Sequence, residues 1–161
     1  VEVASIMLPG RYSRIKEKNL STWPSLLKKV EKAILPYLKE PFAFFGHSFG
    51  ARIIFELTKS LQSKNINLPE WLFISGCRCP HFPGKKPFMY DLPQIEFLER
   101  VNNMSGTPRE ILNNQNLIKM MEPALRADMK LSEPWSDQPT SKVKVPIIAF
   151  SGLQDVIDHP N

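Results

Sequence analysis

The sequence contains few cysteines and no long apolar run. Its two cysteines, Cys77 and Cys79, are separated by one residue, a spacing at which a disulfide would be strained. No further Cys or His cluster completes a metal site, so we expect reduced thiols and no metal or other cofactor. No hydrophobic stretch approaches the roughly 20 residues of a membrane span, and the N-terminus does not resemble a signal peptide. These absences predict a cytoplasmic protein that does not contact a membrane.

The overall composition is typical of a globular protein with a hydrophobic core. The 161 residues are 42% hydrophobic and 23% charged, which predicts one domain over 1–161. The formal charge is +5, but no basic stripe is interleaved with aromatic residues, so nucleic-acid binding is not expected. We expect a monomer. The lysines occur in helix-spaced groups or loop pairs, such as Lys28, Lys29, Lys32, Lys85 and Lys86.

Strand-like and helix-like segments alternate along the chain. Apolar runs bounded by Gly or Pro predict four strands, at 1–8, 41–45, 71–76 and 145–152. The continuous run at 41–45 is typical of a strand buried on both faces of a parallel sheet. Helices are predicted to begin near Thr22 and Ala51, where apolar residues follow a 3.6-residue period. This order predicts an α/β class with crossover connections between parallel strands.

A long segment of different character separates the third and fourth predicted strands. Short helices are predicted at 94–103, 108–113 and 116–122, joined by proline-rich loops. We interpret residues 78–134 as a lid insertion, because ligands bind at the carboxyl ends of strands in open α/β sheets. The alternative is a structural insertion that packs elsewhere.

The stretch Phe-Phe-Gly-His-Ser-Phe-Gly-Ala at 44–51 predicts a nucleophile. Gly46, Ser48 and Gly50 form a Gly-x-Ser-x-Gly motif at the junction of a strand and a helix, where it forms a sharp, strained turn. Side chains at the two glycines are expected to collide with the strand and helix. The turn would expose the Ser48 hydroxyl and direct the Phe49 N–H toward a developing oxyanion. The alternative is a glycine-rich turn with an incidental serine.

A serine nucleophile requires a base, and this chain offers three histidines as candidates. His47 is adjacent to the serine and is expected to pack beside the helix, while His81 lies in a loop just after the third strand and could approach the cleft. Asp155 follows the fourth strand and is the best candidate for the acid, with Asp158 as a neighbour; its alternative role is a helix cap. His159 follows Asp155 too closely to allow an intervening helix and strand. The base is therefore expected beyond the C-terminus of this chain, and the alternative is an unorthodox base within it.

Several short motifs occur in a characteristic order. They are Leu-Pro-Gly-Arg at 8–11, Gly-His-Ser-Phe-Gly-Ala at 46–51, Ser-Gly-Cys-Arg-Cys-Pro-His at 75–81, Asp-Leu-Pro at 91–93, Gly-Thr-Pro at 106–108, Leu-Arg-Ala-Asp at 125–128, and Pro-Ile at 146–147 before Gly152 and Asp155. This order and spacing resembles the type II (external) thioesterases that accompany nonribosomal peptide and polyketide synthases. The resemblance extends over nearly the whole chain.

The resemblance implies a fold and an activity. The fold would be that of an α/β-hydrolase, with a mostly parallel sheet in three layers and a helical lid. The activity would be hydrolysis of acyl or aminoacyl thioesters on the phosphopantetheine arms of acyl or peptidyl carrier proteins, which clears misprimed synthases. By position, Ser48 would be the nucleophile, Asp155 the acid and the Phe49 amide one oxyanion donor. The positive charge would suit an acidic carrier.

Three lid side chains are candidates for an acyl pocket. Met120, Met121 and Leu125 would line it with flexible, apolar groups that tolerate varied chains. The alternative is that they belong to an ordinary helical core.

Compared with that family, the chain departs at both ends. The family's first strands and second oxyanion loop would precede Val1, and its last strand, histidine and final helix would follow Asn161. We therefore expect a partial domain that is truncated at both ends and inactive alone. Two other functions stay open: a general carboxylesterase or lipase on the same scaffold, and a catalytically incomplete fragment that only binds carrier proteins.

Overall fold

A computed structural model describes residues 1–82, 84, 86–104, 114–136 and 142–153. The chain divides into two compact units. The helical unit comprises Val1–Trp23 and Gly84–Pro134, and the sheet unit comprises Pro24–Pro83 and Trp135–Asn161.

The sheet unit contains three parallel strands, which confirms the predicted class. Strands β1 (Ala43–His47), β2 (Trp71–Ser75) and β3 (Ile147–Phe150) lie in the order β1-β2-β3. The register pairs His47 with Ser75, and Ser75 with Phe150. The carboxyl ends of all three strands are therefore level, at the sheet edge where the predicted nucleophile follows β1.

Two helices belong mainly to the sheet unit, and both were predicted. Helix α1 (Trp23–Ile34) buries Leu26, Val30 and Ile34, which recur every four residues. Helix α2 (Phe49–Ser63) packs against the sheet. One cluster of the core contains Ile54 of α2, Leu72 of β2 and Val145, with Phe44, Leu68, Ile74 and Val143 packed against it.

The opposite face of the sheet is more exposed than the sequence predicts. Phe45 is 68% exposed and Phe150 50%, although 41–45 was interpreted as a strand buried on both faces. That interpretation is wrong for this structure. Because successive side chains of a strand point to opposite faces, α2 covers Phe44 and leaves Phe45 uncovered.

Residues 1–8 do not form the strand that their composition predicts. The segment has no ladder partner among the described residues, and the side chains of Val1 and Val3 are exposed. The prediction is wrong for this structure because strand composition is not sufficient: a strand is held by hydrogen bonds to a neighbour.

The helical unit contains α3 (Gln94–Asn103) and α4 (Gln115–Ser132). Helix α3 has the predicted bounds, whereas the helix predicted at 108–113 lies outside the described residues. Helix α4 was predicted to end at residue 122, but it continues through Pro123 to Ser132. The core contains Met89, Phe97 and Val101, with Leu92, Leu98, Met104, Leu125 and Met129 packed against it.

Arg126 explains why α4 continues past its proline. Its Nη1 donates to the carbonyl oxygens of Tyr90 and Leu92 at 2.8 and 2.9 Å, and its Nε donates to Glu122 at 2.8 Å. The guanidinium also lies 4.2 Å from the ring centroid of Phe97. The contacts with Tyr90, Leu92 and Phe97 are tertiary, and they offset the missing N–H of the proline, which costs about 3 kcal/mol in a helix interior.

In the described part of the chain, none of the helices has the length and apolar character needed to cross a membrane.

Candidate active site

Ser48 lies between β1 and α2 in a backbone conformation that is unusual for a residue with a side chain. Its φ is +50° and its ψ is −113°, and it is the N-cap residue of α2. A non-glycine residue in such a region costs on the order of 1–3 kcal/mol and persists only where its surroundings hold it. The strained strand-to-helix turn that the motif predicts is therefore present.

The two motif glycines are not equivalent. An ideal Cβ on Gly46 would lie 2.5 Å from the carbonyl carbon and oxygen of Gly50, and 2.6 Å from the nitrogen of Ala51. A side chain there would meet backbone that cannot move aside, as predicted. At Gly50, apart from its chain neighbours and the backbone of its own helix, no described atom lies within 4 Å of the corresponding position. The predicted collision at Gly50 is wrong, because its Cβ would project into open space beside the first turn of α2.

Ser75, the last residue of β2, contacts the turn at two points. The Ser48 N–H donates to the Ser75 carbonyl oxygen at 2.8 Å. The Ser75 Oγ lies 3.1 Å from Nδ1 of His47. Ser75 was not predicted as a site residue, yet it contacts both His47 and Ser48. The signal that could have identified Ser75 is the alignment of the ends of β1 and β2, which pairs His47 with Ser75.

His47 lies beside β2 rather than beside the helix. An ideal Cβ on Gly76 would come within 2.7 Å of its Cε1 atom. The ring therefore occupies space that a side chain at residue 76 would fill. The expectation that His47 packs beside α2 is corrected on this point, because its Nδ1 has a partner at the end of the neighbouring strand.

Phe49 is the first residue of α2, where backbone N–H groups point toward the helix N-terminus. The carbonyl oxygen of Ser48 accepts from the Ala51 and Arg52 amides at 3.1 and 3.4 Å. The Ser48 carbonyl oxygen is thus the acceptor for the first hydrogen bonds of α2. The role of the Phe49 amide as an oxyanion donor stays a prediction.

The acid and base assignments stay predictions. Asp155, Asp158 and His159 lie outside the described residues. His81 is described and exposed. Cys77 is half-buried and Cys79 exposed, and both are free thiols. No cluster of three or more His, Cys, Asp or Glu side chains that could hold a metal ion occurs among the described residues.

The chain segments that flank the predicted lid are joined within the sheet unit. Arg78 follows β2, and its Nη2 donates to the carbonyl oxygen of Trp135 at 2.8 Å. The Trp135 indole N–H donates to Glu56 of α2 at 2.9 Å, and its ring contacts Phe55 edge-on at a centroid distance of 5.9 Å. Residues 78 and 135 therefore meet at one place on the sheet unit.

The three predicted pocket residues differ in their surroundings. Leu125 packs against the core of the helical unit, which favours the structural alternative for that residue. Met120 is 53% exposed, and Met121 is half-buried. Their role in an acyl pocket stays a prediction.

Two relatives are similar over most of the sequence. Linear gramicidin dehydrogenase LgrE of Brevibacillus parabrevis is 34% identical over 158 residues, and gramicidin S biosynthesis protein GrsT of Aneurinibacillus migulanus is 35% identical over 155 residues. Each match covers 96% of this chain and 60% of the relative. The chain thus spans about three fifths of the length of these relatives.

The fold is similar to that of a solved type II thioesterase, BorB from the borrelidin biosynthetic cluster. The TM-score is 0.77 at 28% sequence identity, over 95% of this chain and 59% of BorB. The parallel sheet and this similarity show an α/β-hydrolase-like fold, and the resemblance to type II thioesterases is confirmed. The thioesterase domain model matches residues 1–156. The chain belongs to the thioesterase domain family.

Proposed function

We propose that the protein hydrolyses acyl or aminoacyl thioesters on the phosphopantetheine arms of carrier proteins, and so clears misprimed nonribosomal peptide or polyketide synthases. The observation that supports this most strongly is the conformation of Ser48, whose φ of +50° occurs at the carboxyl end of β1. Such strain is maintained where a fold exposes a nucleophile. Family membership and the biosynthetic relatives support the thioester substrate.

The proposed reaction has two halves, each with a tetrahedral intermediate. Ser48 Oγ attacks the thioester carbonyl carbon while a general base takes its proton, and the Phe49 amide stabilises the oxyanion. Collapse breaks the C–S bond, and the proton goes to the departing thiol. Water then attacks the acyl-serine, its proton passes to the same base, and that proton returns to Ser48 as the carboxylic acid leaves. Asp155 is the proposed carboxylate partner of the base.

We further propose that residues 78–134 act as a lid over the acyl group. The contact between Arg78 and Trp135 supports this, because an insertion whose flanking residues meet at one place can move without disturbing the sheet. Met120 and Met121 are the proposed acyl contacts on α4. The formal charge of +5 supports an acidic carrier protein as the partner.

The first experiment tests Ser48 itself. The natural gene product that contains this sequence is treated with a fluorophosphonate probe, and its intact mass is measured beside that of Ser48→Ala. One adduct that is lost in the variant is expected. An unlabelled protein, or equal labelling of the variant, contradicts a nucleophilic role for Ser48.

A second experiment tests the substrate class, since one relative is named as a dehydrogenase and family membership does not fix the reaction. Hydrolysis of an acyl-phosphopantetheinyl carrier protein is compared with that of an oxygen ester of the same acyl group. A preference of at least about tenfold for the carrier thioester is expected, the difference that 1.4 kcal/mol of transition-state binding gives. A preference for the oxygen ester would indicate a general esterase.

A further inference from the structure

We propose that His47 and Ser75 form a positioning pair that holds Ser48 in its strained conformation. This inference rests on the proposed nucleophilic role of Ser48 and adds two residues to it. All three residues belong to the sheet unit, at the level carboxyl ends of β1 and β2.

The strained backbone of Ser48 needs contacts from outside the turn to keep its conformation. A φ of +50° is unfavourable for serine by on the order of 1–3 kcal/mol, so the turn tends to relax unless hydrogen bonds oppose it. The bond from the Ser48 N–H to the Ser75 carbonyl oxygen, at 2.8 Å, is the described contact that fixes the serine backbone to the neighbouring strand.

Ser75 contacts two successive residues of the turn, His47 and Ser48. Its carbonyl oxygen accepts from Ser48, and its Oγ lies within hydrogen-bond distance of His47 Nδ1, at 3.1 Å. A serine hydroxyl can donate or accept, so this bond forms with either neutral tautomer of the imidazole. The side-chain bond therefore fixes residue 47 and, through the peptide bond, restrains the rotation of Ser48.

The imidazole of His47 also lies beside Gly76, the residue that follows β2. Gly76 has a φ of +53°, and an ideal Cβ there would lie 2.7 Å from His47 Cε1. The Gly76 N–H donates to the Phe150 carbonyl oxygen at 3.0 Å, which attaches this glycine to β3. The His47 ring thus has a hydroxyl at its Nδ1 and lies beside a glycine whose N–H is bound to β3.

This arrangement assigns His47 a role other than that of the base. His47 directs its Nδ1 toward the Ser75 Oγ, at 3.1 Å, so this ring nitrogen is engaged with the end of β2. A positioning residue alters the rate at which Ser48 reacts without accepting its proton. Loss of the pair should therefore lower kcat more than it changes KM.

The test uses shape-matched variants of the natural gene product that contains this sequence. Ser75→Thr keeps the hydroxyl, whereas Ser75→Val has the shape of the threonine variant without a hydroxyl. His47→Asn keeps a polar group near the position of Nδ1, whereas His47→Phe keeps a flat ring without one. Ser63→Ala is the control, because that exposed serine bonds the Ser60 carbonyl at the far end of α2.

Two rates are measured for each variant: fluorophosphonate labelling of Ser48, and hydrogen exchange of the Ser48 amide by NMR. Ser75→Val and His47→Phe should each label about tenfold more slowly, because small misplacements of a reacting group cost large factors. The same variants should raise amide exchange about tenfold. Ser75→Thr, His47→Asn and Ser63→Ala should stay within about twofold of the parent in both rates. With the carrier thioester, KM should change by less than about twofold in the two slow variants.

The double variant His47→Phe/Ser75→Val should label at about the same rate as the single variants, because both substitutions remove the same contact. If the Ser48 amide exchanges in Ser75→Val and His47→Phe at the same rate as in the parent protein, the positioning pair is overturned. This holds whether or not Ser48 reacts with the probe. Complete loss of labelling in both His47→Asn and His47→Phe indicates a base and also overturns it. Failure of the parent protein to label, with the expected exchange pattern, contradicts the proposed function and leaves the pair supported.

Discussion

Arg11 and Asp128 form a two-point ion pair across 117 positions of the sequence. Nη1 and Nη2 of the arginine lie 3.0 and 2.9 Å from Oδ2 and Oδ1 of the aspartate, and the side chains are 29% and 15% exposed. The pair joins the loop after residues 1–8 to α4 within the helical unit. A paired guanidinium–carboxylate geometry of this kind is stronger than a single-point contact.

The first prediction concerns the energy of this pair. A double-mutant cycle with Arg11→Ala and Asp128→Ala should give a coupling of about 1–2 kcal/mol in the free energy of unfolding, because both hydrogen bonds are charged and partly shielded. Urea denaturation followed by circular dichroism measures it. The Arg14–Glu17 pair is the control: at 36% and 44% exposed, it should couple by less than about 1 kcal/mol. Equal coupling in the two cycles would contradict the prediction.

The second prediction concerns pH. Burial raises the pKa of the Asp128 carboxyl above its ordinary value, and the hydrogen bond and charge of Arg11 only partly oppose this. The folded state then binds the proton more tightly than the unfolded state. The contribution of Asp128 to stability is therefore greatest below its unfolded pKa of about 3.9 and is lost as pH rises through the folded pKa.

The measurement compares the parent protein with Asp128→Asn in urea at a series of pH values. The difference in unfolding free energy should move against the parent as pH rises from about 3.9, and should be constant once the carboxyl is fully ionised. A difference that moves in favour of the parent over that range would show that the ion pair outweighs burial.

The third prediction concerns the two motif glycines. Gly46→Ala should destabilise the fold by about 1–3 kcal/mol or more, because its Cβ would meet the backbone of Gly50 and Ala51. Gly50→Ala should be neutral or stabilise by up to about 1 kcal/mol, since its Cβ has space and alanine favours the helix. Thermal denaturation of both variants measures this. Similar losses of stability in the two would contradict it.

The fourth prediction concerns the strain stored at Ser48. Ser48→Gly should be about 1 kcal/mol more stable than Ser48→Ala, because glycine adopts a φ of +50° readily and alanine does not. Both variants lack the hydroxyl, so the comparison isolates the backbone. Equal unfolding free energies would mean that the turn is not strained.

The sequence by itself determined the features that depend on neighbouring residues. The apolar run, the two glycines and the helical period after Ala51 predicted a strand, a tight turn and a helix with Ser48 between them. Helix α3 was predicted with its observed bounds. In these segments the hydrophobic period and the glycine positions give the same answer.

Only the tertiary structure decided the rest. Helix α4 passes through Pro123 because Arg126 and Leu125 gain contacts with α3 and the Tyr90–Leu92 backbone. Residues 1–8 are not a strand of the sheet. A strand needs a hydrogen-bonded neighbour, and strand-like composition alone does not provide one. Ser75 is the partner of both His47 and Ser48 because the register brings the ends of β1 and β2 together. Each of these outcomes depends on contacts between residues that are far apart in the chain. Local propensity does not include the free energies of such contacts.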